Sequence, residues 1–224
     1  MNKGVLISIQ PKWCAKIASG HKTIEIRKTK PVMAPPFKVY IYCTKPDTTD
    51  PHEHLETHSG EHIYTCNGKV FAEFVCREID RIGKRGINNN FDYCYLSLNE
   101  FGNDDIEVEI RDIQKSRIPK KELNSYGANS PHLYAWHISD LVIYDKPRDL
   151  SEFYLPCKEY SKDVALCGDC PYYSWANNES YHYEECAVEG MKPIKRPPQS
   201  WCYAEEVPKR TNTGEPDGDL PLFC

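Results

Sequence analysis

A chain of 224 residues is long enough for one core of ordinary size with a small appendage, and too short for two large domains. With 40% apolar and 27% charged residues it reads as a globular polypeptide, and its longest apolar runs, such as 39–43, fall far short of a membrane span. The net charge of −5 argues against a protein that coats nucleic acid nonspecifically.

That average hides an asymmetry. Up to residue 40 the bases Lys3, Lys12, Lys16, Lys22, Arg27, Lys28, Lys30 and Lys38 stand against the single acid Glu25. From 151 onward acids such as Asp163, Asp169, Glu184, Glu185, Glu205, Glu206, Asp217 and Asp219 outnumber bases. The split predicts one anion-binding face and one solvating module. The first residues lack the apolar core and cleavage site of a secretory signal, so a cytoplasmic protein is expected. In that compartment eleven cysteines need an explanation other than disulfides.

Val5–Ile9 is β-branched and predicts a buried strand. Pro11 opens a short amphipathic helix through Lys12–Ser19, with Trp13, Cys14 and Ile17 at helical spacing and Gly20 at its left-handed end. Thr23–Arg27 alternates strictly, which predicts a strand with Ile24 and Ile26 on the core face and Thr23, Glu25 and Arg27 opposite. After Pro31, Pro35 and Pro36 comes a strand over Phe37–Cys43. Residues 45–66 read as a polar insertion, a loop with a short helix, holding His52, His54, His58 and His62. Gly68 supplies a turn before a strand over Lys69–Ile79, and 82–90, with two glycines and three asparagines, read as a turn. Tyr93–Arg111 favours no single element. Leu133–Tyr144 is a further strand, ended by Pro147 ahead of a short helix near Leu150–Phe153.

Strands without regular helix alternation predict a β-rich α+β fold, a small barrel with flanking short helices. The expected organisation is a barrel domain over 1–155 with its polar insertion at about 45–66, a cysteine-rich module over 156–208 packed on the barrel, and a flexible tail over 209–224.

Gly20-His21-Lys22-Thr23-Ile24-Glu25-Ile26-Arg27 fits G-x-K-x-x-E-x-R, set after an amphipathic helix and running into a strand. With Ser8-Ile9-Gln10-Pro11-Lys12-Trp13, the strand Val70-Phe71-Ala72-Glu73-Phe74, and Tyr134-Ala135-Trp136-His137-Ile138-Ser139 leading to Lys146-Pro147, the chain resembles the ASCH family of the PUA-like superfamily over about residues 4–155. It is similar to the longer phage and Firmicute members that add a cysteine-rich tail ending in a segment like Arg196-Pro197-Pro198-Gln199-Ser200-Trp201-Cys202-Tyr203. The resemblance implies a PUA-like β-barrel with a basic cleft that takes RNA, other single-stranded nucleic acid or a nucleotide.

The residue chemistry agrees. Lys22 and Arg27 are pure donors suited to phosphate or carbonyl oxygens, and Glu25 orients Arg27 or accepts from a base amine. Trp13, Tyr42 and Trp136 offer stacking faces, and Gly20 and Thr23 complete the candidate binding set. The plain alternative is a surface Glu25–Arg27 pair beside an exposed lysine.

Catalysis stays open as another alternative, with Lys22 and Glu25 as candidates. Small ASCH proteins are acetylcytidine amidohydrolases that use a lysine, a threonine and a glutamate; Lys22 matches the lysine, but Glu25 stands where the threonine belongs. Other members look like ribonucleases, with Ser8, Thr23 and Tyr42 as possible hydroxyls here. A third reading is a zinc-stabilised interaction protein.

Cys167-Gly168-Asp169-Cys170 is a C-x-x-C turn followed, after fifteen intervening residues, by Cys186, with Cys157 or Cys202 as fourth ligand and His182 nearby. Two thiolates from one tight turn suit tetrahedral Zn²⁺ in a zinc-ribbon-like module, and a polar stretch of this length needs the metal's contribution to fold. The opposing reading has Tyr172, Tyr173, Trp175 and Trp201 docking the tail with its thiols free. Aligned on a helix, His54, His58 and His62 would form a metal face, although solvated loop residues are the simpler reading. Cys14, Cys43, Cys76 and Cys94 lie in apolar runs as core thiols, and Cys224 ends the chain. No membrane contact is expected, and the oligomeric state is not encoded in any of these features.

Overall fold

The computed structural model describes residues 3–46, 54–87, 90–97, 106–108, 111–156 and 191–206. The ligand set Cys157, Cys167, Cys170 and Cys186, the tail from 207, His52 and His182 lie outside them, as do the side chains of 84–112. No helix of the described residues is long and apolar enough to cross a membrane.

Strand β1 (Lys3–Ile9) leads through helix α1 (Pro11–Ala18) and β2 (Ile24–Arg27) to β3 (Phe37–Cys43). β1 and β3 pair in parallel, Val5 opposite Val39 and Ile9 opposite Cys43. A parallel pair needs a crossover, and α1 with β2 supplies it. Gly4 is required by close approach: a Cβ there would meet the Tyr40 ring at 2.9 Å and the Lys38 carbonyl at 3.0 Å. In α1, Pro11, Cys14 and Ile17 are buried at spacings of three, so one stripe faces the sheet.

β4 (Glu56–Ser59) and β5 (His62–Thr65) form a separate hairpin. The short helix expected there is therefore a strand pair, and His58 and His62 fall on opposite arms rather than on one helical face. β6 runs unbroken from Lys69 to Ile87 and pairs with β7 (Asn90–Ser97), so most of the turn predicted at 82–90 is a ladder, Gly83 opposite Cys94 and Gly86 opposite Phe91. The glycines read as turn formers are accommodated because cross-strand hydrogen bonds override a local signal. β8 (Ile106–Val108) follows β7. Helices α2 (Arg111–Ser116) and α3 (Lys120–Tyr126), unassigned from sequence, precede β9 (His132–Arg148), which continues through Pro147. A 3-10 turn at Leu150–Glu152, closed by the reciprocal Asp149–Glu152 capping box, leads to β10 (Phe153–Pro156).

β11 (Met191–Pro193) and β12 (Trp201–Glu206) bring the end of the described chain back into the sheet, β12 antiparallel to β1 with Leu6 opposite Cys202. The order is β11-β10-β12-β1-β3-β6-β7-β8, with β9 pairing β6 and β2 pairing β9. β3 and β9 take opposite edges of β6. The result is mostly sheet with short helices, as expected for an α+β fold, but the sheet does not close: among the described residues no backbone ladder joins β2 to β1 or β12. Side chains complete the turn instead. Arg27 of β2 donates to the Ser8 carbonyl in β1 at 2.7 Å and to the Ser200 carbonyl at 3.3 Å.

Period-two alternation divides the core. Val5, Ile7, Ile9, Val39, Ile41, Phe71, Phe74 and Trp136 line the interior of the curled sheet. Leu6, Tyr40, Tyr42, Val70, Phe153 and Ala204 form a second cluster on the other side. Ile24, Ile26, Ile82, Leu133 and Ala135 pack against Ile113, Ile118 and Leu123 of the segment carrying α2 and α3.

Candidate functional site

The turn after α1 sets the geometry. Gly20 takes φ +72°, the left-handed conformation that closes a helix, and the Lys22 amide donates back to the Lys16 carbonyl at 2.9 Å. The chain therefore reverses tightly and enters β2 with the Lys22 side chain directed inward.

β2 pairs with β9, so Glu25 stands opposite Trp136 and Arg27 opposite Tyr134, while Ile24 and Ile26 stand opposite His137 and Ala135. Directly opposed residues share a face. Ile24 and Ile26 lie under the α2–α3 segment, and Glu25 and Arg27 point with Trp136 into the curled sheet. The alternation predicted for this strand is present, but both of its faces are buried, so the exposed Glu25–Arg27 pair of the plain alternative is replaced by an enclosed one.

Lys22, Glu25 and Arg27 form one buried chain of charge. The Lys22 ammonium donates to the Ile24 carbonyl at 2.7 Å and the Ser116 carbonyl at 2.9 Å, and lies 3.2 Å from Glu25 Oε2. Glu25 Oε1 is 3.0 Å from Arg27 Nε. That N–H is not directed at the carboxylate and makes no hydrogen bond among the described residues, so the contact is ionic. Burial lowers the pKa of Lys22, and the Glu25 charge opposes the shift only in part. Even so, all three ammonium hydrogens have acceptors, which leaves Lys22 no free electron pair for nucleophilic work. The network holds the end strand to α2, β1 and residue 200, and the Lys22 ammonium and both terminal nitrogens of Arg27 already donate to protein carbonyls.

The other predicted site residues divide. Trp13 belongs to this region, partly buried, with the Lys22 Nζ 5.5 Å from its ring centroid. Trp136 is fully enclosed, edge-on to Phe37 at 5.8 Å and 6.2 Å from Trp201. It is a core residue rather than the open stacking face predicted, and its buried Nε1 has no hydrogen-bond partner among the described residues. Tyr42 faces the cluster of Leu6, Tyr40 and Val70, away from Lys22, which corrects its assignment to the same cleft. Thr23 is exposed and contributes its carbonyl to the Ile138 amide at 3.0 Å. Gly20 acts through its backbone conformation.

Sequence reading missed the aromatic partners of the outer lysines. Lys12 and Lys16 each place an ammonium 4.8 Å from the Trp13 centroid. Lys28 lies 5.0 Å over Tyr126, Lys30 lies 5.7 Å over Tyr134, and Lys3 lies 4.2 Å over Tyr203. Trp201, partly buried, donates from Nε1 to Thr29 Oγ at 2.8 Å. The excess of lysine before residue 40 was the available signal. Its aromatic half comes from 126, 134, 201 and 203, which only the fold brings near.

Two further features lie apart. A shallow cavity of about 670 Å³ is lined by Tyr42, Thr44, Lys45, Asp149, Ser151 and Lys195, on other elements than the Lys22 network. Lys38, Glu73, Tyr144, Arg148 and Glu206 form a polar cluster, with Lys38 2.8 Å and the Tyr144 hydroxyl 2.6 Å from Glu73, and Arg148 paired to Glu206. Burial raises the Glu73 pKa, but Lys38, Tyr144 and Arg148 outweigh it and hold the carboxyl below its ordinary range. This cluster ties β12 to β6 and β9.

Cys14, Cys43 and Cys76 are buried free thiols, as expected for core cysteines. Cys202 sits in β12 against the Leu6–Tyr40 cluster, where burial pushes its thiol up to about 11.

No family model matches the chain, and no curated protein matches it. Among solved structures it is similar to the ASCH protein of Zymomonas mobilis, at 18% identity over 66% of this chain and 73% of that one, with a TM-score of 0.42. Two point mutants of that protein align likewise. The tyrosine-to-phenylalanine mutant matches at 17% identity over 66% of this chain and 76% of that one, TM-score 0.42, and the serine-to-alanine mutant at 17% over 64% and 70%, TM-score 0.38. Likenesses this loose leave function to the geometry of the chain itself.

Proposed function

We propose that this chain binds single-stranded nucleic acid, RNA in the first instance, on the face carrying Trp13. The observation that carries the reading is the indole of Trp13, partly exposed, with the ammonium groups of Lys12, Lys16 and Lys22 at 4.8, 4.8 and 5.5 Å from its centroid. Lys12 and Lys16 stand four residues apart on α1, a like-charge spacing that weakens a helix, and α1 has no acid in its first turn to relieve it. Glu122 pairs with Lys12 at 2.7 Å across an exposed gap. An anionic ligand with a π face stacks on the indole while its phosphates meet the exposed ammonium groups of Lys12 and Lys16. Lys28 and Lys30 over Tyr126 and Tyr134 extend the same combination beyond β2.

In this reading Lys22, Glu25 and Arg27 hold the strand that supports the surface, and phosphate contact falls to the exposed Lys12, Lys16, Lys28 and Lys30. Their place in the G-x-K-x-x-E-x-R motif is then one of positioning. The hydrolase reading gains nothing from a lysine whose donors are all engaged. For the cysteine-rich stretch the proposal remains one structural Zn²⁺ on Cys167, Cys170 and Cys186, with Cys157 or Cys202 as the fourth ligand; the packing of Cys202 against an apolar cluster favours Cys157.

The test is the anisotropy of a labelled single-stranded RNA titrated with the intact chain. Trp13→Ala is expected to weaken binding by roughly 1–3 kcal/mol, the range for one base–aromatic stack. Equal affinity of Trp13→Ala and the natural chain would overturn the reading.

A further inference from the structure

The geometry points to a divalent-cation site formed by Glu78, Asp80 and His137 on the face of the sheet opposite the Glu25–Arg27 pair. His137 stands opposite Ile24, and Asp80 opposite Ala135, so both side chains lie on the side packed by the α2–α3 segment. Glu78 and Asp80 are two residues apart on β6, while His137 comes from the neighbouring β9. The register slips between Cys76 and Ile79: Cys76 is opposite Ile138 and Ile79 opposite Trp136, which leaves Arg77 and Glu78 together facing His137. One extra residue at that point is a bulge, a device that re-aims side chains beside sites. Here it brings a carboxylate to an imidazole. Arg77 is drawn the other way, to Asp140 at 2.6 Å, and Asp140 holds φ +49°.

One ligand atom from each of the three residues lies within 4.8 Å of the other two. His137 Nε2 and Asp80 Oδ2 are 2.7 Å apart. Neighbouring ligands on an octahedral ion with bonds of about 2.1 Å stand about 3.0 Å apart, so this pair needs only tenths of an ångström to become two ligands. Glu78 is exposed and free to swing the remaining distance, whereas Asp80 and His137 are partly buried and already fixed to each other. One imidazole nitrogen with two carboxylates suits a first-row divalent cation such as Mn²⁺ or Zn²⁺ and leaves coordination positions open to solvent. The imidazole distinguishes the cluster from a patch of surface acids, since a neutral ring nitrogen adds affinity for these ions without adding charge.

Mn²⁺ is the probe, because it prefers oxygen and imidazole ligands over the thiolates of the cysteine-rich stretch. Titration of the intact chain followed by the loss of the free Mn²⁺ paramagnetic signal is expected to give one bound ion per chain. Glu78→Gln, at an exposed position that leaves the core untouched, is expected to weaken it at least tenfold, and His137→Ala to abolish it. Glu61→Gln, an exposed acid on the separate hairpin, is the control and should change nothing. Absence of a bound ion in the natural chain, or equal binding by the Glu78→Gln and His137→Ala variants, overturns the site.

Discussion

Glu25 Oε2 lies 3.2 Å from the Lys22 ammonium, three residues away, and both side chains are shut from solvent, at 9% and 0% exposure. The same carboxylate meets Arg27 through its other oxygen. One negative charge thus sits between two buried positive ones, so Glu25 is the residue whose removal is felt most. Glu25→Ala leaves two uncompensated cations in the interior, and a loss of about 3–5 kcal/mol is expected from denaturant unfolding. Replacement by Gln keeps the shape and one acceptor and should lose less. A loss under about 1 kcal/mol for Glu25→Ala would show that the three charges are not mutually dependent.

Arg27 bridges the open seam of the sheet through the Ser8 and Ser200 carbonyls. Arg27→Lys keeps the charge but loses the planar fork, and one ammonium cannot serve both carbonyls and Glu25 in the same geometry. Hydrogen exchange is expected to accelerate in β12 and around residue 200, while β6 and β9, joined by a long ladder, stay protected. Uniform acceleration across the sheet would contradict a local seam.

Stability should fall as pH rises above about 9 in reducing buffer. Burial raises the thiols of Cys66 and Cys202 to about 11 and Cys76 to about 12, from an ordinary 9.0. Between the ordinary and raised values the unfolded chain has released these protons and the native one has kept them, so stability declines with pH. Lys22 acts in the opposite sense: its lowered native pKa makes the unfolded chain bind more protons below 10.5, so its share of stability rises with pH there. Burial also raises Cys14 and the tyrosines Tyr40, Tyr42, Tyr126 and Tyr144, so the thiols and phenols outnumber the one lysine and set the net direction. Midpoints of urea unfolding from about pH 8 to about pH 11 check it, and Cys202→Ser, the least enclosed of the three positions, should flatten the decline.

The cysteine-rich stretch carries a separate expectation. Native mass measurement should find one Zn²⁺ per chain that is lost in Cys167→Ser with Cys170→Ser and kept in Cys202→Ser. Loss of the ion in Cys202→Ser would place that thiol among the ligands.

Much of the frame was legible in the residue order, because β1, α1, β2, β3 and most of β9 have clear periodicity, and Gly20 marks a turn it really makes. The extension of β6 through Gly83 and Gly86 was not, since cross-strand pairing with β7 outweighs glycine's local preference. Nor was the burial of Glu25 and Arg27: alternation fixes which residues share a face, and only the curl of the sheet and the cover from α2 and α3 make both faces interior. Trp13 was named as a stacking candidate from residue type, and its indole lies partly exposed between Lys12 and Lys16. Trp136 and Tyr42 were named for the same role on residue type alone, and the packing of Trp136 against Phe37 and Trp201, and of Tyr42 beside Leu6, removes both.

The most direct test of the nucleic-acid surface is the dependence of affinity on salt for single-stranded RNA, compared between the natural chain and Lys12→Gln with Lys16→Gln. Each lost phosphate contact should lower the slope of log K against log salt by about 0.7, so a flattening of about 1.4 is expected from the pair. An unchanged slope, with binding otherwise intact, would contradict the assignment of that face.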